Sequence, residues 1–266
     1  MQQDYCCFTT YQPILAFTAK LLGVNHRSGV CKPKYMWARL FEKYLLIEEL
    51  NSTLFRGDYI AQQLSEAFNI KLDIDYRCNV SSPNNDERHK AKLLLQDNGR
   101  NSDKPYVVFA PFAKTELDVD DKFVLQGMQY ISQKYEYNVV LVNANKTEQT
   151  DRIIRAADNL NVIDLSGKTT LMEMVAILDE AKLVISTDSA PMHIACAMGT
   201  NTIAIFSSGN ATRWMPRNNC NLVSLDLPCS PCLEKKQCLH KSCMKGITWE
   251  MLREKIDKVL VNKIVL

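Results

Sequence analysis

Short apolar runs alternate with helical patterns along the second half of the chain, and this alternation constrains the fold more than any other feature. From about Lys104 onward, segments with apolar residues at helical spacing separate short runs rich in Val, Ile, Leu and Phe. The predicted strands are Tyr106–Phe109, Asn138–Val142, Val162–Leu165, Leu183–Ile185 and Thr202–Phe206, and the predicted helices are Phe123–Lys134, Gln149–Asp158, Leu171–Ala181 and one that begins at Pro191. Strands separated by helices form a parallel sheet that is covered on both faces, so we expect an α/β fold, a Rossmann-like sandwich with right-handed crossovers.

The first hundred residues follow a different pattern. Their spacing predicts amphipathic helices over Tyr35–Leu50 and Asp58–Phe68. Only Ile70–Ile74 has the pattern of a clear strand, with a weaker one near Tyr5–Thr9. This is too little sheet for a complete second domain, so we expect a mostly helical, incomplete N-terminal domain.

A polar linker over Asp97–Asp103 marks the expected domain boundary. It follows a helix that is predicted to begin after the turn and cap residues of Ser81–Asp86 and to run through Leu95. The predicted organisation is an N-terminal domain over 1–100, a Rossmann-like domain over 101–247 and a C-terminal helix over 248–266.

Composition limits the classes of function. The 32 basic and 30 acidic residues leave a formal charge of +2, which provides no overall field for nucleic acid or for an anionic membrane, so any anion site must be local. The N-terminus lacks an export signal, and no apolar run approaches the roughly 18 residues of a membrane helix. We therefore expect a soluble cytoplasmic protein that binds no nucleic acid and makes at most peripheral contact with a membrane.

A strand, a polar turn and a helix follow one another over Leu183–Gly199. Thr187, Asp188 and Ser189 are natural capping residues, and Pro191 suits the first turn of the helix. The backbone N–H groups and the dipole of such a helix attract a diphosphate, to which His193 can donate a hydrogen bond. The alternative is a capped helix that carries a partly buried histidine and binds nothing.

Two common nucleotide-binding motifs are absent. The sequence has nine glycines and contains neither G-x-G-x-x-G nor G-x-x-x-x-G-K-[ST]. This argues against a dinucleotide-dependent dehydrogenase and against a P-loop kinase.

Four cysteines lie close together near the C-terminus. Cys229, Cys232, Cys238 and Cys243 have the spacing C-x2-C-x5-C-x4-C, which can surround one tetrahedral metal ion, zinc or iron, in a structural role. His240 can replace one sulfur as a ligand. The alternative is a group of reduced thiols without metal.

Several segments together form a family pattern. They are Leu165–Leu171, Ser186–Gly199, Ile203–Phe206 and the four cysteines followed by Met244–Ile247 and a final helix. In this order, over about Tyr106–Leu260, the chain resembles the family-9 glycosyltransferases, the group that contains the ADP-heptose:lipopolysaccharide heptosyltransferases.

The resemblance implies two facing Rossmann-like domains (a GT-B fold), of which the C-terminal one binds the nucleotide-sugar donor and the N-terminal one the acceptor. It places Asp188, Ser189, Ala190 and His193 at the diphosphate and sugar, Lys168–Thr170 near the nucleobase and Glu148 at the ribose. The residues predicted to bind the donor are Thr187, Asp188, Ser189, Ala190, His193, Lys114, Glu148, Thr169 and Thr170.

The implied reaction is transfer of a sugar from a nucleoside diphosphate, with ADP-heptose as the expected donor, to a lipopolysaccharide-core or other surface glycan or glycolipid acceptor. The anomeric configuration inverts without a covalent intermediate, and the implied mechanism requires no metal or other cofactor. The implied place is the inner face of the bacterial inner membrane.

Three departures from the family pattern matter. Ala190 stands where the family usually has glycine, and Lys114 is displaced and has no Trp-Pro pair after it. The family's first strand and its Gly-Asp loop, which supplies the catalytic base, have no counterpart, and we do not assign that role to Gly57–Asp58 at a predicted helix start. The catalytic base is therefore unassigned, and the alternative function is a nucleotide-sugar-binding remnant that is non-catalytic or needs a missing N-terminal partner.

Overall fold

A computed structural model of the chain forms two compact units, each with its own parallel sheet. The smaller unit runs to Tyr76 and includes Thr212–Trp214, and the larger unit contains the remainder. The structure describes residues 4–10, 12–31, 36–46, 55–72, 80–100, 104–112, 119–207, 209–230, 238 and 240–261. None of the helices in these ranges is both long and apolar enough to cross a membrane.

The smaller unit is built on three parallel strands in the order β1-β2-β3. Its elements are β1 (Tyr5–Phe8), α1 (Pro13–Leu21), β2 (His26–Cys31), a 3-10 helix (Met36–Leu40), β3 (Lys43–Leu46) and α2 (Arg56–Phe68). Helix α2 is tied to the sheet by Gln63, whose side-chain amide donates a hydrogen bond of 2.9 Å to the carbonyl of Phe8.

Two sequence predictions for this unit are wrong. The helix predicted over Tyr35–Leu50 is a 3-10 helix followed by strand β3, because Lys43–Leu46 pairs with β2 and this pairing overrides the helical spacing. Ile70 and the two residues after it form no strand, and the rest of that predicted strand lies outside the described residues. The unit therefore has more sheet than the sequence predicted.

The larger unit confirms the predicted alternation of strands and helices. Its helices begin with α3 (Asn85–Asp97) and α4 (Asp121–Tyr130), the latter continued by a π-helical turn over Ile131–Tyr135. The strands are β4 (Tyr106–Ala110), β5 (Asn138–Leu141), β6 (Val162–Asp164), β7 (Leu183–Thr187), β8 (Thr202–Ile205) and β9 (Cys220–Val223). The other helices are α5 (Glu148–Ala156), α6 (Leu171–Glu180), α7 (Ala190–Ala197), α8 (Ala211–Trp214, shared with the smaller unit), α9 (Ser242–Lys245) and α10 (Trp249–Val261).

All six strands are parallel, and their order is β6-β5-β4-β7-β8-β9. Successive residues of β4 face opposite layers: Phe109 packs in the core that contains Met128 of α4 and Leu252 of α10, whereas Val108 packs in the core that contains Leu95 of α3. The result is a sheet with helices on both faces, so the predicted Rossmann-like sandwich is confirmed.

The division between the units differs from the expected boundary near residue 100. Helix α3 belongs to the larger unit because Leu95 is buried in its core and Arg88 forms an ion pair of 2.7 Å with Asp179 of α6. An Asn84–Glu87 capping box starts the helix. The chain therefore divides after Tyr76, before α3.

Candidate functional site

The strand order reverses between β4 and β7, and this places a crevice at the carboxyl ends of these two strands. From β4 the chain proceeds to β5 and β6 on one side and then crosses to β7 and β8 on the other. In open α/β sheets, ligands bind at this kind of switch point. The turn predicted to bind a diphosphate follows β7 and lies at this position.

Small polar side chains join the turn to the loop that follows β4. The buried hydroxyl of Thr187 donates a hydrogen bond of 3.0 Å to the carbonyl of Phe112. The hydroxyls of Ser186 and Ser189 lie 3.2 Å apart, and Ser186 also donates to the carbonyl of Thr187 at 2.9 Å. Thr187 therefore holds the loop that follows β4 at the crevice, and its hydroxyl hydrogen is already used in this hydrogen bond.

Helix α7 begins at this turn without a side-chain cap. Ser189 is the N-cap residue, as its place in the sequence predicted, but its side chain makes no capping hydrogen bond and turns back toward Ser186 and Thr187. Pro191 lies in the first turn, where its missing N–H leaves no donor unpaired. The amide of Met192 donates to the carbonyl of Ser189 at 3.1 Å, so it is the positive end of the helix dipole, which has no side-chain cap, that favours an anion in the crevice.

His193 and Asp188 interact electrostatically at the start of α7. Desolvation by the surrounding protein lowers the pKa of His193 from its ordinary value of 6.5, and the negative charge of Asp188 partly opposes this shift. Asp188 also approaches Gly209 closely, since a Cβ at that glycine would lie 3.0 Å from the carboxylate. At neutral pH the imidazole is therefore mostly neutral and offers one ring N–H as a hydrogen-bond donor.

A cavity of about 770 Å³ opens at this edge of the sheet; we call it the donor cavity. Its volume lies within the roughly 300–1,000 Å³ of small-molecule sites. It is lined by Ala110, Phe112, Val142, Asn143, Ala144, Asn145, Thr147, Glu148, Gln149, Arg152, Thr169, Thr170, Leu171, Met174, Ser189, Ala190 and Pro191. Five of the predicted donor-binding residues line one cavity, although they come from three separate loops: Glu148, Thr169, Thr170, Ser189 and Ala190.

Glu148 is held at the cavity by the first turn of α5. Thr147 caps this helix, and a reciprocal pair of hydrogen bonds with Thr150 forms a capping box. An acidic residue in the first turn is stabilised by the helix dipole. Glu148 thus presents an exposed carboxylate at the cavity, where it can accept a hydrogen bond from a hydroxyl of a ligand.

Thr169 and Thr170 reach the cavity from the loop before α6. Thr170 is the N-cap residue, and its hydroxyl accepts a hydrogen bond of 3.3 Å from the amide of Glu173. Gly167 allows this loop to approach the one after β5, since a Cβ there would lie 3.2 Å from the backbone nitrogen of Lys146. Of the two threonines, Thr169 is therefore the one whose side chain is not used as a helix cap.

Three of the described residues that were predicted to bind the donor do not line the cavity. Thr187 is the last residue of β7, Asp188 lies in the turn that follows, and His193 lies inside α7. Lys114 lies outside the described residues.

Other polar residues line the cavity although no motif marks them. Asn143 and Asn145 follow β5, and the sequence signal for them is their place after the carboxyl end of a strand. Arg152 lies one turn further into α5 and is held by Asp121, whose carboxylate accepts from the guanidinium at 3.0 Å. The side-chain amide of Gln149 donates to the same carboxylate at 2.9 Å.

The predicted metal ligands are only partly described. Cys243 is buried, Cys238 is half-buried and Cys229 is exposed, whereas Cys232 lies outside the described residues. Burial, and then the nearby charges of Cys238 and Cys229, raise the pKa of the Cys243 thiol. Within the described ranges no group of three or more His, Cys, Asp or Glu side chains has an arrangement that could hold a metal ion.

Comparison with known proteins points to one family. The family model for glycosyltransferase family 9 (heptosyltransferase) matches residues 56–243. Lipooligosaccharide heptosyltransferase 2 of Campylobacter jejuni serotype O:6 is 36% identical over 135 residues, which make up 48% of this chain and 42% of that protein. The chain thus spans less than half the length of this curated relative in the match.

Solved structures show the same fold. A family-9 glycosyltransferase of Veillonella parvula superposes with a TM-score of 0.77 at 14% identity, over 98% of this chain and 75% of that one. The ADP-heptose lipopolysaccharide heptosyltransferase II of Escherichia coli gives a TM-score of 0.71 at 17% identity, over 99% of this chain and 78% of that one.

Proposed function

Because the chain belongs to glycosyltransferase family 9, the heptosyltransferase family, we propose that it transfers a heptose from ADP-heptose to a hydroxyl group of a lipopolysaccharide-type glycan. The donor cavity carries this proposal: one space of about 770 Å³ brings together Glu148, Thr169, Thr170, Ser189 and Ala190 from three loops. The names of the relatives support heptose as the transferred sugar and a lipopolysaccharide-type glycan as the acceptor, since the relatives are named as lipooligosaccharide or lipopolysaccharide heptosyltransferases.

The chemistry of the lining supports one orientation of the donor in this cavity. The diphosphate lies at the amino end of α7, where the dipole and the amides stabilise its charge. The ribose lies at Glu148, whose carboxylate accepts from a ribose hydroxyl, and the base lies against the apolar side chains of Leu171 and Met174, beside Thr169. Ala190 in place of glycine narrows the space between backbone and ligand by one methyl group.

The reaction is a direct displacement at the anomeric carbon. The acceptor oxygen attacks this carbon opposite its bond to the diphosphate oxygen, that bond breaks, and ADP leaves with the electron pair, so the configuration inverts. The positive end of α7 and the N–H of His193 stabilise the charge that develops on the leaving diphosphate. The proton of the acceptor passes to a general base that we do not assign to any described residue.

Ligand-induced stabilisation of the full chain tests the donor site. A nucleotide that binds only the folded protein stabilises it by about 2.7 kcal/mol at 100 times its Kd. ADP and ADP-heptose are expected to raise the melting temperature, and UDP and GDP to raise it less. If none of these ligands raises it, the donor site is refuted for this chain.

A matched pair of glutamate variants locates the binding. Glu148→Gln removes a charge-assisted hydrogen bond worth about 1.5–3 kcal/mol, so the Kd for ADP is expected to rise about tenfold or more. Glu254→Gln, on the exposed side of α10, is the control and is expected to bind ADP like the wild type. Equal affinity in both variants contradicts the assignment of Glu148 to the ribose.

A turnover measurement distinguishes a transferase from the alternative, a nucleotide-sugar-binding protein that does not catalyse transfer by itself. Purified protein with ADP-heptose and a lipopolysaccharide-core acceptor is expected to release ADP, and Asp188→Ala is expected to abolish the release. Stabilisation by ADP-heptose without any ADP release favours a nucleotide-sugar-binding protein that needs a partner for the chemistry.

A structural metal at the four cysteines is a second, separate proposal. The sequence spacing C-x2-C-x5-C-x4-C supports it, since four thiolates at this spacing can surround one zinc or iron ion. Elemental analysis of the purified chain is expected to give one metal ion per chain. Cys238→Ser is expected to lose it and the control Cys6→Ser to keep it, and a metal-free wild type would refute the proposal.

A further inference from the structure

The larger unit contains a second cavity, of about 620 Å³, that the donor site does not use. We call it the lysine cavity. It lies at the amino end of α4, beside the carboxyl end of β8 and the start of α10. Its lining consists of Val119, Asp120, Lys122, Phe123, Gln126, Ile205, Lys241, Met244, Lys245, Ile247 and Trp249.

Basic groups dominate the charge of this cavity. Among the described residues, Lys122, Lys241 and Lys245 line it, and Asp120 is the one described carboxylate in the lining. Asp120 is the N-cap residue of α4, and it accepts a hydrogen bond of 2.8 Å from the amide of Lys122. Among the described residues, no carboxylate lies within 4.0 Å of the ammonium groups of Lys122 and Lys245. The cavity therefore has an excess of positive charge that an anionic ligand can neutralise.

The remainder of the lining is aromatic and aliphatic. Phe123 and Trp249 are half-buried and face the same space as Met244 and Ile247. Trp249 is fixed by Tyr130, whose ring meets it edge-on at 5.2 Å. A rigid aromatic surface beside flexible ammonium groups matches a ring with apolar C–H faces that carries a phosphate or carboxylate, rather than a free inorganic anion.

The lysine cavity lies at the same edge of the sheet as the donor site. Ile205, in its lining, pairs with Thr187 at the end of β7, directly before the turn that leads into α7. Phe112, which follows β4, lines the donor cavity, and Val119, which precedes α4, lines the lysine cavity.

We propose that the lysine cavity binds a sugar ring that carries a phosphate or carboxylate group. The lysines bind the anionic group, and Trp249 and Phe123 pack against the ring.

Calorimetric titration of the full chain tests this site. The probes are mannose 6-phosphate, mannose and inorganic phosphate. Mannose 6-phosphate is expected to bind at least tenfold more tightly than either mannose or phosphate, because only it contacts both the lysines and the aromatic surface. Saturation with ADP is expected to leave this binding unchanged.

Lysine variants place the binding in the cavity. The double variant Lys122→Gln, Lys245→Gln is expected to bind mannose 6-phosphate at least tenfold more weakly and to bind ADP like the wild type. Lys258→Gln, an exposed lysine on α10 outside the lining, is the control and is expected to bind both ligands like the wild type. If the double variant fails to fold, Lys245→Gln alone is expected to weaken mannose 6-phosphate binding at least threefold.

Three results would each overturn the proposal. The lysine variants could bind mannose 6-phosphate as tightly as the wild type does, or inorganic phosphate could bind as tightly as mannose 6-phosphate. Competition between mannose 6-phosphate and ADP is the third, because it would place the sugar phosphate in the donor cavity. Failure of the proposed function is distinguishable: lysine-dependent binding of mannose 6-phosphate without any binding of ADP supports the acidic-sugar site and refutes the donor site.

Discussion

At the scale of single residues, Thr187 fixes the shape of the donor cavity. Its buried hydroxyl holds the carbonyl of Phe112, and Phe112 lines the cavity. Thr187→Val keeps the volume but leaves this carbonyl without its donor, which is expected to lower the free energy of unfolding by about 1–3 kcal/mol. Urea unfolding measures this loss, and titration with ADP is expected to show weaker binding as the β4 loop moves.

Thr187→Ser is the matched control because it keeps the hydroxyl group. It is expected to lose less stability than the valine variant and to bind ADP nearly like the wild type. Equal losses in both variants would mean that the side-chain methyl group, and not the hydrogen bond, holds the loop.

The titration of His193 is expected to make the free energy of unfolding of the protein fall as the pH falls. Because burial lowers its pKa below the ordinary value of 6.5, the unfolded state binds more protons than the folded state between the two values. The free energy of unfolding therefore falls as the pH falls from 6.5 through the lower, folded pKa, and His193 contributes no such change above about pH 7.5. His193→Gln is expected to remove this component.

Urea unfolding from pH 7.5 to pH 5 measures the effect as the difference between variant and wild type. The wild type is expected to lose stability relative to His193→Gln as the pH falls. The exposed His89 of α3 provides the control, since His89→Gln is expected to keep the wild-type dependence. A constant difference between His193→Gln and the wild type across this range would contradict the assignment.

At the scale of elements, the sequence predicts a strand well where its apolar pattern agrees with the burial of that strand in the fold. β4, β5 and β7 are buried along their whole length and consist mostly of apolar residues, so their pattern can be recognised without tertiary information. β2, His26–Cys31, contains histidine, arginine, serine and glycine and becomes a strand through its pairing with β1 and β3. Its residues have no strand pattern of their own, so it could not be predicted.

The same distinction holds for the site. Asp188, Ser189 and Ala190 form a local motif that follows a clear strand, so the sequence locates this turn. Arg152 lines the cavity from α5, and its guanidinium is held by Asp121 from a distant part of the chain. Residues that reach a site through long-range contacts leave no local signal.

Helix α3 allows a test of its assignment to the larger unit. Leu95 is 1% exposed and packs in the core of that unit, whereas Leu93, on the same helix, is 42% exposed. Leu95→Ala is expected to lower the free energy of unfolding by about 2–5 kcal/mol, because a buried leucine is replaced by a cavity.

Leu93→Ala is the matched control, with an expected change of about 0.5 kcal/mol or less, since the same substitution there removes little buried surface. Chemical unfolding of both variants measures the difference. Equal effects would mean that α3 does not pack on the larger unit through Leu95.

At the scale of the whole molecule, two cavities lie at one edge of the larger sheet and carry different chemistry. The donor cavity combines a helix amino end with the carboxylate of Glu148, which suits a diphosphate joined to a ribose. The lysine cavity combines ammonium groups with aromatic rings, which suits an acidic sugar. Because the two linings differ in charge, the two cavities are expected to bind different ligands at the same time.

Hydrogen exchange of the full chain is expected to separate the two sites. At about ten times its Kd, ADP is expected to slow amide exchange up to about tenfold in the loops around the donor cavity, over residues 142–149, 166–174 and 187–193. Mannose 6-phosphate is expected to slow exchange over residues 119–126 and 241–249 instead. Together the two ligands are expected to protect both sets of peptides, because each occupies its own cavity. Protection of residues 241–249 by ADP alone would mean that the diphosphate binds among the lysines, and the assignment of different ligands to the two cavities would then be wrong.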